Sequence, residues 1–222
     1  MQFHMSRAGF LAAALAAGAL AFSGPAEARR VPAAEAYVQT NATQALRALS
    51  NTAQNQAQRR QEFSRLMSQF ADVPYISVYV LSLEYGRRLN ADPALRTEWI
   101  NVFRDFAMAR YETEFDRYRG NAVTVITSNE TVAGRRAEVL TEFAPPPGQS
   151  QPLRVRWRLN TANGQYKVIN VAIVSEGGDL WLADFQRDVF RAELERNGGD
   201  LRALIRSVQG MTASMRAAPR RG

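Results

Sequence analysis

Cysteine is absent from this 222-residue chain, and its single histidine is His4. Without cysteine there is no disulfide framework and no thiol nucleophile, so an ordinary hydrophobic core must hold the fold. With one histidine near the start, most zinc sites and Ser-His-Asp triads are also excluded. Lysine is nearly absent too: Lys167 is the only one, and catalysis would fall to carboxylates, Tyr, Ser or that amine. No cofactor or metal site is expected. No apolar run reaches the ~20 residues that a membrane-crossing helix needs.

What is present begins with charge. Lys and Arg total 28 against 21 Asp and Glu, a formal +7 at pH 7. The positive side chains are almost all arginine, scattered as pairs at Arg59-Arg60, Arg87-Arg88 and Arg135-Arg136. None of these forms the basic run of five to eight residues that marks a nucleic-acid patch, so no nucleic-acid partner is expected. Two readings of the arginines remain, a solvated surface or attraction to anionic headgroups and acidic partners.

The N-terminal segment carries Arg7, an apolar run from Ala8 to Phe22 and the small-x-small pattern Ala26-Glu27-Ala28. This predicts a cleaved export signal over 1–28. No cysteine follows it to carry a lipid anchor, so the mature protein, from Arg29, is expected to be exported and soluble. Its 194 residues suffice for one domain with a sizeable core or for two small ones. Arg7 and Glu27 leave together, so the mature charge stays at +7.

Helical periodicity comes first. Pro32 can open a helix with Val38, Ala42, Ala45, Leu46 and Leu49 on one face. Asn51 to Asn55 is polar and predicts a turn. Phe63, Leu66, Met67 and Phe70 stand at i, i+3, i+4, i+7. Asp72 can cap the segment that follows. Tyr75 to Leu83 is rich in β-branched and aromatic residues and fits a buried strand; its capped start and its length to Arg88 fit a buried helix instead. A helix from Pro93 to Tyr118, capped by Asp92, has an apolar face too broad for one packing contact: Leu95, Trp99, Val102, Phe103, Phe106, Ala107, Tyr111, Phe115 and Tyr118.

After Gly120 the period becomes 2. Strands are predicted over 122–127, 135–143, 153–159 and 166–174, with Asn163-Gly164 as a hairpin turn. In the third strand apolar residues alternate with Arg154, Arg156 and Arg158. The outcome is an α+β fold, a four-stranded antiparallel meander packed against helices. Helices near 184–196 and 201–209 close the domain, which spans 29–210 with helical 33–118, sheet 121–174 and closing helices within 181–209. Residues 211–222 read as a frayed, disordered basic tail.

The ordered series Phe70 to Ile76, Val80-Leu81, Arg87 to Leu89, Leu95 to Trp99, Phe103 to Phe106, Tyr111 and Tyr118 to Gly120 resembles the MlaC / toluene-tolerance family of periplasmic phospholipid-binding proteins. Tyr166 to Val171 is similar to that family's aromatic-Lys-hydrophobic-hydrophobic-Asp-Val strand, and Arg187 to Phe190, Gly198-Gly199 and Leu204-Ile205 resemble its closing helices. The chain departs from the family pattern in three places. Ser82 stands where Gly is usual, Asn170 where Asp is usual, and Gly177-Gly178 looks like an enlarged loop. The resemblance implies an apolar lipid cavity between sheet and helices. It also implies a monomeric carrier that shuttles phospholipid between an outer-membrane lipoprotein complex and an inner-membrane ABC transporter complex, maintaining outer-membrane lipid asymmetry.

On that basis the expected lipid-contacting residues are Ile76, Val80, Leu81, Phe103 and Phe106 from helices, and Val125, Val139, Val155, Trp157 and Val168 from the sheet, with Phe190 covering the mouth. Arg154, Arg156 and Arg158 are candidates for partner docking, because three like charges at alternate positions repel unless something acidic meets them. Three alternatives stand beside the phospholipid carrier. They are a hopanoid-associated lipid binder, an exported ligand-free adaptor, and a glycan hydrolase using Glu138, Glu142 or Glu176.

Overall fold

In the computed structural model the described residues are 30–118, 121–161 and 165–217, with the backbone alone for 113–116. The expected export signal, the Asn163-Gly164 turn and the last five residues lie outside them.

Five helices come first: α1 (Pro32–Ser50), α2 (Gln56–Phe70), α3 (Val73–Tyr79), α4 (Ser82–Asn90) and α5 (Pro93–Asp116). Each start has a local cause. Pro occupies the first turn of α1 and of α3, where its missing N–H costs nothing. Asn55 and Gln58 form a reciprocal capping box at α2. The Asp72 carboxylate accepts from the Tyr75 N–H at 3.0 Å, and Asp92 accepts from the Leu95 N–H at 3.0 Å.

The segment that fitted either a strand or one helix is two short helices. The chain turns at Val80-Leu81, and Ser82 then opens α4 with φ 69°. A helix cannot run through a residue in the left-handed region, which explains the break.

The sheet follows as β1 (Val123–Val132), β2 (Arg136–Phe143), β3 (Leu153–Asn160), β4 (Lys167–Ser175) and β5 (Gly178–Trp181), paired antiparallel in that order. It has five strands where four were expected. The supposed enlarged loop at Gly177-Gly178 is the β4–β5 reversal: Ser175 pairs with Gly178, whose φ of 113° suits glycine alone. Two glycines and four residues of strand give too weak a pattern to read.

α6 (Leu182–Arg196) and α7 (Leu201–Ala217) complete the chain. The expected frayed tail is helical through Ala217, and Thr212 is buried there, its hydroxyl donating back to the Val208 carbonyl at 2.8 Å.

One face of the sheet packs on the helices. Ala137, Val139, Phe143, Val155, Trp157 and Leu159 alternate inward from β2 and β3 and are almost fully buried. The α2–α3 junction is stitched to β4: the Asp72 N–H donates to the Val168 carbonyl at 2.9 Å, and the Lys167 ammonium donates to the Gln69 carbonyl. Trp99 fastens α5 to α3 by donating its indole N–H to the Ser77 carbonyl at 2.7 Å. A side chain at Gly86 would stand 3.2 Å from Val78, so α4 packs close against α3.

Candidate functional site

α3, α5 and the first turns of α6 enclose a cavity of about 30 Å³. Its walls are Ile76 and Val80 from α3, Phe103, Phe106, Ala107, Arg110 and Tyr111 from α5, and Leu182, Ala183, Phe185 and Gln186 around the start of α6. Behind it lies an aromatic cluster in which the Phe190 ring meets Trp99 at 5.4 Å, Phe106 at 5.7 Å and Phe103 at 6.4 Å between centroids. Such edge and tilted contacts fix these rings as a rigid inner wall.

Three polar side chains interrupt the apolar lining: Arg110, Tyr111 and Gln186. Burial pushes the Tyr111 hydroxyl above its ordinary pKa, so it stays neutral. The Gln186 side-chain Nε2 is buried without a hydrogen-bond partner. Leaving such a donor unpaired costs about 1–3 kcal/mol.

A polar clasp ties α3 to α6 beside the cavity. The Tyr79 hydroxyl donates to Asp184, which also holds Arg187 at 3.0 Å and accepts from the Asn170 amide at 3.1 Å. The Arg187 guanidinium lies over the Tyr79 ring, 5.1 Å from its centroid. Burial first, then the bond to Asp184, raises the Tyr79 pKa. Asn170 also accepts from the Ala183 N–H at 3.1 Å. This gives the departure at position 170 a reason, because an ionised Asp there would face the carboxylate of Asp184 instead of donating to it.

Of the residues expected to contact lipid, Ile76, Val80, Phe103 and Phe106 line this cavity together. Val139, Val155, Trp157 and Val168 do not line it; they share one continuous buried core with Val80, Phe103 and Phe106, in which Trp157 packs on Phe70 at 5.3 Å and on Phe143 at 6.4 Å. Leu81 is buried in that core as well, and Val125 packs half-buried against it. Phe190 is 0% exposed and cannot cover a mouth; the exposed aromatic at the cavity is Phe185, at 46%. Ala107 and Tyr111 belong to the broad apolar face already legible in α5. Arg110, Phe185 and Gln186 were missed, since a lone Arg or Gln on a helix carries no signal of facing a cavity.

The docking arginines find their acids within the sheet. Arg154 pairs with Glu142 at 3.0 Å, Arg156 with Asp179 at 2.6 Å and Arg158 with Glu138 at 2.8 Å. Arg158 also covers the Trp181 ring at 3.7 Å. The repulsion that pointed to an outside partner is therefore neutralised across neighbouring strands. The same pairs occupy Glu138 and Glu142, while Glu176 sits exposed in the β4–β5 turn; none of the three lines the cavity.

Among solved structures, the chain is similar to a phospholipid-binding protein from Ralstonia solanacearum in complex with a phospholipid. The two superpose with a TM-score of 0.68 at 16% identity, over 82% of this chain and 98% of that one. No curated protein sequence matches the chain. The family model described as MlaC protein matches residues 38–209, from the second turn of α1 into the middle of α7. The chain belongs to the MlaC family.

Proposed function

We propose that the protein is an exported phospholipid carrier that takes acyl chains between α3, α5 and α6 and passes the lipid between envelope membranes. The observation that carries this is the convergence of apolar side chains from three helices on one cavity with a few polar groups among them. That is the usual composition of a small-molecule site. The lipid held by the structurally similar Ralstonia protein supports the same class of ligand. Two tails of about fifteen carbons represent roughly 20–25 kcal/mol of gross transfer free energy, so binding needs no covalent chemistry.

The cavity has room for a water molecule, against roughly 300–1,000 Å³ for typical ligand sites. Loading then requires α3 and α6 to part, with the clasp of Tyr79, Asp184 and Arg187 as the contact that must open. Delivery between an outer-membrane lipoprotein complex and an inner-membrane ABC transporter complex, in support of outer-membrane asymmetry, completes the proposal.

Transfer of a fluorescent phosphatidylglycerol from donor to acceptor vesicles tests it. The mature protein should accelerate transfer, and Ala107→Phe, which fills the cavity from its α5 wall, should reduce transfer at least tenfold while staying helical by circular dichroism. If the wild-type protein fails to move lipid, or the variant moves it equally well, the cavity is simply packed core and the adaptor alternative gains.

A further inference from the structure

Two of the polar side chains lining the cavity, Gln186 and Arg110, bring N–H donors to it. Gln186 is 8% exposed, and its Nε2 has no hydrogen-bond partner although it borders a cavity. Arg110 lines the same cavity from α5 and is exposed. Among the described residues it has no carboxylate partner, unlike Arg60 on Glu112, Arg187 on Asp184 or the sheet arginines on their acids. Asp184, the carboxylate nearest in sequence to the cavity's α6 wall, is already engaged by Tyr79, Arg187 and Asn170.

We propose that Gln186 and Arg110 read the junction between head and tails of a glycerophospholipid, the Gln186 amide donating to an acyl ester carbonyl and the Arg110 guanidinium to the phosphodiester. This rests on the carrier function above. The order follows from burial. A buried neutral donor bordering a cavity that Ile76, Phe106 and Leu182 also line is met by an acceptor that arrives attached to an apolar body, and in an acyl lipid the ester carbonyl is the acceptor nearest the tails. The phosphodiester lies further toward water, where an exposed guanidinium can meet it with parallel N–H bonds. The Tyr111 hydroxyl, kept neutral by burial, adds no opposing charge. A hopanoid hydrocarbon skeleton has neither group, so the proposal selects phospholipid.

Three probes with the same acyl length separate the contributions: dioleoylphosphatidylglycerol, its dialkyl ether analogue, and dioleoylglycerol. Each is offered in phosphatidylcholine vesicles to delipidated mature protein, and uptake is read by native mass spectrometry. Wild-type protein should prefer the ester over the ether lipid by about tenfold, as expected for one buried hydrogen bond. Gln186→Met keeps the length and loses the donor; it should abolish that preference while unfolding no more easily than wild type without lipid. Arg110→Gln should cut the preference for phosphatidylglycerol over dioleoylglycerol by about ten- to a hundredfold. A Gln186→Met protein that keeps the ester preference, or an Arg110→Gln protein that keeps the phosphate preference, overturns the proposal while leaving the carrier intact. Wild-type protein that takes up none of the probes overturns both. Should Gln186→Met misfold, Gln186→Leu removes the same N–H with a smaller apolar side chain, and the exposed Arg110 arm can be read in either case.

Discussion

Ser82 shows how a single residue records a backbone demand. It is the one non-glycine at positive φ among the described residues, and it stands where the family usually has Gly. Left-handed backbone costs an L-residue about 1–2 kcal/mol, which Gly escapes at some cost in unfolded-chain entropy. Ser82→Gly should therefore raise the unfolding free energy by up to about 1 kcal/mol in urea titrations; a loss of stability would mean that the serine side chain holds the turn. At this scale the sequence was legible wherever chemistry is local. Asp72, Asp92 and the polar Asn51–Asn55 turn sit where their capping or breaking propensity places them. Gln186 and Arg110 were illegible because their meaning comes from which cavity they border, and that is set by the packing of α5 against α6.

Among the described residues, periodicity located five of the seven helices and four of the five strands, and the inward face of β3 follows directly from its alternation of apolar residues with arginine. It failed where elements are short. α3 and α4 have seven and nine residues, too few turns for a 3.6 period to separate from a β-branched strand. β5 has only four residues. Of these short elements, α3 lines the cavity through Ile76. Tyr79 ends α3 and bonds to Asp184 at the start of α6, where Arg187 also lies over its ring, so the hydroxyl is one of the contacts that hold α3 to α6. A hydrogen bond to a charged acceptor is worth roughly 1.5–3 kcal/mol. Tyr79→Phe should thus speed uptake of fluorescent phosphatidylglycerol about tenfold or more in stopped-flow measurements, with the fold retained because the ring stacking on Tyr75 remains. An unchanged rate would mean that lipid reaches the cavity without parting these helices.

At the scale of the whole molecule, the α+β architecture was readable because a helical period through residue 118 gives way to a period of two after Gly120. Sheet and helices do different work. The sheet's buried face contributes Trp157, Phe143 and Val139 to a core it shares with the helices, and its opposite face is a ladder of Arg–Glu and Arg–Asp pairs; the cavity is lined from the helical side. Alternation shows which residues point inward, not whether the inside is filled by neighbours or left for a ligand, so it could not separate the sheet residues from the four that line the cavity. The central claim is that the helical cavity carries phospholipid in the cell. Native mass spectrometry of mature protein purified from its own envelope under mild conditions tests this most directly. The account predicts one glycerophospholipid per chain, lost in the Ala107→Phe variant. Protein that emerges lipid-free, when a known carrier prepared alongside keeps its lipid, would contradict it.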